Sequence, residues 1–248
     1  MKNLRIVVAT LAFAGSVALV SSAAPKDKDN AKAEKLVDSG SFTVLMSGVR
    51  VATETFSIQQ GASGSTISSQ FKSAQGEQVA EQSSELQLTP SAELRKYEWK
   101  ATAPEKVSAT VLPNDAFLVA TYTLGADNKP TAQNFLLPAS TSILDDFFFI
   151  HREVLAWKYL ASACKNEKGN LNCPHQKVQF GALNPHARTS MSVTIEFSGK
   201  DRVALGGAER ELSKFVLSSE VGDWTFWLDD QFKLVRLRSD SGTEVIRD

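Results

Sequence analysis

Apolar and polar side chains alternate along most of this 248-residue chain, and short clusters of turn residues interrupt the alternation. Phe42, Val44 and Met46 illustrate the pattern that runs from residue 41 to residue 138, with apolar side chains at every second position. Turn residues such as Gly61 to Gly64 recur about every 8–15 positions. A period of two places the apolar side chains on one face of a strand. The pattern predicts an antiparallel meander of many strands.

Residues 142–163 interrupt this meander with apolar side chains at helical spacing. Two sets of positions form one wide apolar face: Ile143, Phe147, Ile150, Val154, Trp157 and Ala161, and Leu144, Phe148, His151, Leu155 and Tyr159. Ser142, followed by Asp145, is typical of a helix N-cap with a carboxylate in the first turn. Such a wide face must be buried. We therefore predict a mainly β protein: a curved antiparallel sheet or half-barrel meander with one long inner helix near residues 142–163.

The N-terminal segment predicts export from the cytoplasm. Two basic residues precede the apolar run from Ile6 to Val20, and small residues follow it, which is the pattern of a secretory signal peptide. We place the cleavage after Ala23, so that residues 1–23 are the signal peptide. Residues 24–39 are polar and charged and predict a flexible leader. Residues 40–248 then form a single β-rich domain, and we expect the mature protein to be periplasmic or secreted.

The composition argues against several kinds of partner. The formal net charge is −1 and basic residues form no cluster, so nucleic acid is not an expected partner. After the signal peptide, no apolar run approaches the ~18 residues that a membrane-spanning helix needs. We therefore expect no transmembrane segment in the mature chain. The sequence contains no motif for phosphate, dinucleotide or zinc-protease sites, and we predict no cofactor.

The chain has two cysteines, Cys164 and Cys173. In an oxidising compartment an even number of cysteines is typical of a disulfide. The bond would close a polar loop and hold the end of the predicted helix against the following strand. The alternative is a metal site formed by both thiols and His175, but this spacing matches no common zinc pattern and a fourth ligand is not evident. We therefore predict a disulfide and no metal site.

His151 is the candidate for catalysis. It lies on the predicted helix near three carboxylates, those of Asp145, Asp146 and Glu153. A base beside carboxylates in an apolar pocket can have a shifted pKa and support hydrolysis. The alternative is a structural polar residue on an apolar face, and we favour it because such groups also occur in cores. The other two histidines, His175 and His186, lie in proline-containing loops and are expected to be solvated.

Aromatic side chains cluster in the helix segment and near the C terminus. In one interpretation they fill the core, since aromatic residues dominate core burial. In the other they line a cavity between the helix and the curved sheet, where an apolar ligand would bind. The candidate ligand-binding residues are Trp99, Phe147, Phe148, His151, Trp157, Trp224 and Phe226.

The segment from Trp224 to Leu237 combines an aromatic strand, an acidic turn and a strand that reads Leu-Val-Arg-Leu. This pattern, together with a secreted meander and one inner helix, resembles bacterial periplasmic lipoprotein-carrier-like half-barrel proteins and related uncharacterised secreted families. The resemblance implies binding or carriage of lipids or lipidated partners. It implies no catalytic residues.

These observations support three functional hypotheses. The favoured one is a non-enzymatic β-rich protein that binds an apolar or amphipathic ligand, such as a lipid, or a protein of the envelope. The second is a periplasmic hydrolase that uses His151 with the nearby carboxylates. The third is a structural protein that mediates interactions in the envelope.

Overall fold

The computed structural model describes residues 34–73, 79–125, 129–167 and 170–248. These ranges contain seventeen strands and one helix, α1 (Ile150–Ala163). The strands are β1 (Lys35–Met46), β2 (Val49–Gly61), β3 (Gly64–Ser73), β4 (Glu81–Leu88), β5 (Leu94–Ala103), β6 (Val107–Asn114), β7 (Phe117–Leu124), β8 (Thr131–Phe135), β9 (Ser142–Ile143), β10 (Lys165–Glu167), β11 (Asn170–Asn172), β12 (Val178–Asn184), β13 (Thr189–Leu205), β14 (Ala208–Ser219), β15 (Gly222–Leu228), β16 (Leu234–Ser239) and β17 (Thr243–Arg247).

Fifteen of these strands form one sheet. Its order is β8-β7-β6-β5-β4-β3-β2-β1-β17-β16-β15-β14-β13-β12-β9, so the pairing of β1 with β17 joins two runs of consecutive hairpins. Neighbouring strands are antiparallel, apart from the short parallel pairing of β9 with β12. Strands β10 and β11 form a separate two-stranded ladder. The predicted fold class, a mainly β protein with a curved antiparallel meander and one helix, is confirmed.

The helix packs against one face of the sheet, where the main apolar core lies. Buried and less buried side chains alternate along β2, with Ala52 and Phe56 directed into this core. From α1, Tyr159 is completely buried in the same core. The turn from β2 to β3 requires a glycine at Gly64, because a Cβ atom there would lie 1.9 Å from the carbonyl oxygen of Leu88. Turn chemistry and alternation therefore specify the hairpins together.

The predicted helix is wrong at its N-terminal end, because α1 begins at Ile150. The first two residues of the predicted segment form β9 instead and pair with β12. Beyond them, Oδ1 of Asp145 accepts a hydrogen bond from the amide of Phe147 at 3.0 Å, which is a local alternative to helical hydrogen bonding. The predicted N-cap at Ser142 is also wrong. The capping position is Phe149, which makes no side-chain capping bond.

The predicted flexible leader, residues 24–39, is wrong at its C-terminal end, because β1 begins at Lys35. Pairing with the long strand β2 provides backbone partners for this part of the chain. Its inward side chain is the carboxylate of Asp38, which is paired with Arg247 at 2.6 Å. Because this inward residue is polar, the start of β1 does not show the alternation of apolar and polar side chains by which the other strands were predicted. Residues 24–33 and the predicted signal peptide, residues 1–23, lie outside the described residues.

Cys164 and Cys173 are placed for a disulfide bond, with sulfur atoms 2.15 Å apart and Cα atoms 4.3 Å apart. Cys164 is the C-cap residue of α1, and the two cysteines flank the β10–β11 ladder. The bridge therefore closes this small hairpin at the end of the helix. It joins the end of the helix to the residue that follows strand β11, which belongs to the small ladder and not to the large sheet. With both sulfur atoms in the bridge, neither thiol is free for the alternative metal site with His175.

Replacing both cysteines, as Cys164→Ser with Cys173→Ser, should lower the free energy of unfolding by about 1–3 kcal/mol. The bridge closes a short loop, so its loss increases the entropy of the unfolded chain without removing core contacts. Urea unfolding of the oxidised wild type and the variant measures the difference, and far-UV circular dichroism should show an unchanged fold. Wild-type protein in reducing agent should behave like the variant. Equal unfolding midpoints for the oxidised wild type and the variant would contradict the prediction.

Candidate ligand-binding site

The irregular segment between β9 and α1 carries a buried carboxylate, that of Asp145. Its Oδ2 atom accepts hydrogen bonds from the hydroxyl of Tyr97 at 2.8 Å and from Nδ1 of His186 at 2.5 Å. Burial by itself raises the pKa of Asp145, but the hydrogen bond and the charge of His186 outweigh burial and hold this pKa below its usual value. Asp145 is therefore an ionised group that fixes side chains from β5 and from the β12–β13 connection.

His186 belongs to this polar network, although the sequence predicts it to be solvated. Only 13% of its side chain is exposed. Its ring stacks on the indole of Trp99 with 3.9 Å between the centroids, and its Nε2 atom lies 2.7 Å from Oε1 of Gln82. Gln82 is separated from His186 by 104 positions in the sequence, so no local pattern could have identified this contact.

The pairing of Asp145 with His186 has the form of the carboxylate–histidine pair in many hydrolases. In those sites the second ring nitrogen faces a hydroxyl or thiol nucleophile. Here Nε2 of His186 faces the amide of Gln82, which is not a nucleophile. The chemistry that this arrangement provides is positioning: it holds the loop of His186 against β4 and β5.

His151, the candidate for catalysis, lies in the packed core. It is 1% exposed, and neither ring nitrogen has a hydrogen-bond partner among the described residues. The nearest aromatic rings are those of Tyr97 and Phe148, with centroids 5.5 Å and 5.9 Å away. Burial lowers the pKa of His151 to about 4. A neutral imidazole with no hydrogen-bond partner among the described residues lacks the geometry that the hydrolase hypothesis requires of His151. Its position fits the structural interpretation that the sequence favours.

Glu54 of β2 caps the helix from across the core. Its Oε2 atom accepts a hydrogen bond from the amide of Phe149 at 2.7 Å. Its Oε1 atom accepts from the amide of Ile150 at 3.3 Å and from the hydroxyl of Ser69 at 2.7 Å. Burial raises the pKa of Glu54 to about 7, and these three donors limit the rise. A distant carboxylate therefore replaces the local N-cap that the sequence predicts at Ser142.

His151 should make the protein less stable as the pH falls from about 6.5 to about 4. Unfolded chains take up the proton at the ordinary pKa of 6.5, whereas the folded protein does so only at about 4, so protons favour unfolding in this window. Glu54 acts in the opposite direction between pH 7 and pH 4.5, because its pKa is raised to about 7 in the folded protein. The two effects offset each other in the wild type, and variants are needed to separate them.

His151→Phe should therefore gain roughly 2 kcal/mol of stability relative to the wild type when the pH is lowered from 7 to 5. Urea unfolding of both proteins at the two pH values measures this change. His175→Phe is the matched control, because it removes an exposed histidine. A difference between His151→Phe and the wild type that is the same at both pH values would show that His151 is not buried in its neutral form.

Arg152 follows His151 on the helix and is 6% exposed. Its guanidinium lies over the ring of Trp224 at 4.7 Å and over that of Phe149 at 5.3 Å. Its Nη1 atom donates to the carbonyl oxygen of Asp145 at 3.1 Å. Burial lowers the pKa of Arg152 from its usual value. The irregular segment between β9 and α1 thus carries the buried carboxylate of Asp145 and, through the carbonyl oxygen of Asp145, also binds the buried guanidinium of Arg152.

Arg152 lines a cavity of about 650 Å³, which we call the Arg152 cavity. Its wall comes from the segment between β9 and α1, from the N-terminal end of α1, from strands β12 to β16 and from the connections that follow β12, β14 and β16. The apolar lining residues are Leu144, Met191, Val193, Leu217, Val221 and Trp224. Three carboxylates also line the cavity, those of Asp146, Asp223 and Asp240. The lining is therefore amphipathic, with one buried cation.

A second cavity, of about 410 Å³, lies against Trp99 on the other half of the sheet. It is lined by Gln82, Trp99, Ala101, Ala103, Pro104, Glu105, Val107, Phe147 and His186. One face of the Trp99 indole is covered by His186 and Trp99 is only 6% exposed, so this residue offers little surface to a ligand. The Arg152 cavity is therefore the better candidate site.

The predicted ligand-binding residues separate into three groups. Trp224 lines the Arg152 cavity, and Trp99 and Phe147 line the second cavity. Phe148, His151 and Phe226 are buried in the packed core, at 0–1% exposure, and line neither cavity. Trp157 donates its indole N–H to the carbonyl oxygen of Phe232 at 2.7 Å, which joins α1 to the loop before β16. Sequence analysis did not identify Arg152 as a ligand contact, because the spacing of apolar residues along the helix does not indicate where a charged side chain is buried.

Two further observations bear on cofactors and membranes. Within the described ranges, histidine, cysteine and carboxylate side chains form no group of three or more that could hold a metal ion. None of the helical structure described is both long enough and apolar enough to cross a membrane.

The fold is similar to that of a solved structure. It is a β-barrel-like protein of domain of unknown function DUF1849 from Brucella abortus, with a TM-score of 0.56 and 11% sequence identity. The similarity covers 85% of this chain and 94% of that chain, and at this identity it concerns the fold alone. No protein-family model and no curated protein sequence matches the chain. The similarity agrees with a β-barrel-like uncharacterised family, whereas the relation to lipoprotein carriers stays a prediction.

Proposed function

We propose that this protein is an exported, non-enzymatic protein that binds an amphipathic ligand in the Arg152 cavity. The observation that carries the proposal is the lining, in which a buried guanidinium lies among apolar side chains, three of them buried: Leu144, Val193 and Leu217. Small-molecule sites have volumes of about 300–1,000 Å³ and combine apolar walls with a few polar groups. A cavity of about 650 Å³ with this lining suits a ligand that has an apolar chain and a polar head.

The polar residues of the core support binding rather than catalysis. His151 has no partner among the described residues, and the Asp145–His186 pair faces an amide. Neither arrangement places a base beside a nucleophile. The cysteine pair at the end of α1 supports a location in an oxidising compartment outside the cytoplasm. The resemblance to lipoprotein-carrier-like proteins implies that the ligand is a lipid or the lipid group of an envelope protein.

Two tryptophans of β15 provide a matched test. Trp224 lines the Arg152 cavity, whereas Trp227 packs in a separate apolar cluster with Val203, Leu212 and Val235. We expect decylphosphocholine or decyl maltoside, below the critical micelle concentration, to change the intrinsic fluorescence of the wild type. The change should persist in Trp227→Phe and should be largely lost in Trp224→Phe.

Isothermal titration calorimetry of the same proteins measures binding without relying on fluorescence. Trp224→Phe should still bind in calorimetry, because phenylalanine keeps an apolar wall. Native mass spectrometry of protein purified from its own envelope should show a bound amphiphile. The proposal is wrong if no single-chain amphiphile binds the wild type, or if the fluorescence change depends on Trp227 instead of Trp224.

A further inference from the structure

Arg152 is a buried cation with unused hydrogen-bonding capacity. A guanidinium has five N–H donors. Among the described residues, Nη1 donates to the carbonyl oxygen of Asp145, and the buried Nε has no acceptor. No carboxylate of the described residues forms an ion pair with this guanidinium within 4.0 Å. The charges of Asp146, Glu54 and Asp145 act on the guanidinium from beyond ion-pair distance, but burial outweighs them and lowers the pKa of Arg152. A ligand anion in direct contact with the guanidinium would therefore add binding free energy.

The same cavity is lined by three carboxylates, those of Asp146, Asp223 and Asp240, and the charge of Asp146 acts on Arg152. Asp146 and Asp240 are exposed and Asp223 is half-buried, so these carboxylates lie at the rim, whereas Arg152 lies deep in the wall. Arg152 would attract an anionic ligand, but the carboxylates at the rim would repel it. A cationic ligand would be attracted by these carboxylates and repelled by Arg152. Because the positive charge and the negative charges lie in different parts of the cavity, they favour a ligand that carries both an anionic and a cationic group.

We infer that the Arg152 cavity binds the zwitterionic head group of an amphiphile. Its anionic part, a phosphate or a carboxylate, accepts hydrogen bonds from the guanidinium of Arg152, whose planar fork matches such groups. Its amine or quaternary ammonium group lies at the rim formed by Asp223 and Asp240. The apolar chain packs against the wall that includes Val193 and Leu217. This inference rests on the proposed function and specifies the class of ligand.

Four amphiphiles with the same decyl chain test the head group: decylphosphocholine, decyl phosphate, decyltrimethylammonium and decyl maltoside. Each is titrated into the full-length protein by calorimetry below its critical micelle concentration. The wild type should bind decylphosphocholine at least about tenfold more tightly than the other three, since one charge-assisted hydrogen bond is worth about a factor of ten. If decyl phosphate binds as tightly as decylphosphocholine, the carboxylates at the rim do not bind the ammonium group, and the inference is overturned.

Variants at the two ends of the cavity then locate the charges. Arg152→Gln should weaken decylphosphocholine about tenfold and leave decyl maltoside unchanged. Asp223→Asn with Asp240→Asn should weaken the binding of decylphosphocholine but strengthen the binding of decyl phosphate, because two carboxylates that repel the phosphate are removed. Arg238→Gln is the matched control, because it removes an exposed arginine that does not line the cavity. Circular dichroism melting checks the fold of each variant.

If Arg152→Gln does not fold, Arg152→Lys keeps the charge and removes the planar fork, and it should still weaken decylphosphocholine. The rim variant tests the inference independently of Arg152. Equal wild-type affinities for all four amphiphiles, unchanged in every variant, would overturn the zwitterionic inference while the proposed function stands. If none of the four binds the wild type, the proposed function itself fails.

Discussion

Glu54→Leu should lower the free energy of unfolding by about 3–5 kcal/mol, although it replaces a buried carboxyl group with an apolar side chain. Glu54 is completely buried, and it accepts from two amides at the start of α1 and from the hydroxyl of Ser69. Leucine leaves the amides of Phe149 and Ile150 buried without acceptors. A buried N–H without a partner costs about 1–3 kcal/mol, and a hydroxyl adds to this loss.

Two variants separate the cap from the carboxylate itself. Ser69→Ala removes one donor and leaves both helix amides bonded, so it should cost only about 1 kcal/mol. Glu98→Gln changes a carboxylate of β5 that is not buried, and its cost should be below about 1 kcal/mol. Chemical unfolding in urea measures all three variants. A loss in Glu54→Leu no larger than that in Ser69→Ala would mean that Glu54 does not cap the helix.

The strands could be predicted because alternation and turn residues are local signals. Each hairpin needs an inward apolar set and a turn that accepts its backbone conformation, and both lie within about 25 residues of sequence. The long alternating strand β2 and the glycine at Gly64 are examples. Residues 35–39 of β1 lacked this signal, because their buried inward residue is Asp38 and its partner Arg247 lies 209 positions away.

The start of the helix was not predictable from the same kind of signal. The apolar spacing extends back to residue 143, but the backbone there pairs with β12, which depends on a distant strand. The group that caps the helix, Glu54, is 95 positions from Phe149. An apolar face indicates which side chains are buried, but it does not indicate where the helical hydrogen bonds begin.

The candidate site could be predicted only in part, for a related reason. Aromatic patterns identified Trp224 as a possible ligand contact, and it lines the Arg152 cavity. The same patterns selected Phe148 and Phe226, which pack in the core. Sequence patterns separate apolar from polar side chains but do not show which apolar side chains border empty space. The role of Arg152 depends on the cavity and on the stacking of Trp224, both of which are tertiary features.

A buried charge cluster holds the seam where β1 meets β17. Asp38 of β1 accepts hydrogen bonds from Nη1 and Nη2 of Arg247, at 3.0 Å and 2.6 Å, and lies 3.1 Å from Nζ of Lys233. Burial alone raises the pKa of Asp38, but the hydrogen bonds and charge of Arg247 outweigh burial and hold it below its usual value. Burial and the charge of Asp38 raise the pKa of Glu153 well above its usual value. The ionised pair is therefore Asp38 with Arg247.

Arg247→Leu should lower the free energy of unfolding by about 3–5 kcal/mol, because it leaves Asp38 buried without its main counter-ion and beside the carboxyl of Glu153. Asp38→Leu should cost a similar amount, since the guanidinium then loses its partner. The double variant should cost no more than either single one, because replacing both members of a buried pair removes the uncompensated charge. Urea unfolding of the four proteins gives the coupling free energy between the two residues.

The exposed pair of Lys200 with Glu211 is the matched control and should show a coupling below about 1 kcal/mol. If the losses of the two single variants simply add in the double variant, the pair does not hold the seam of the sheet.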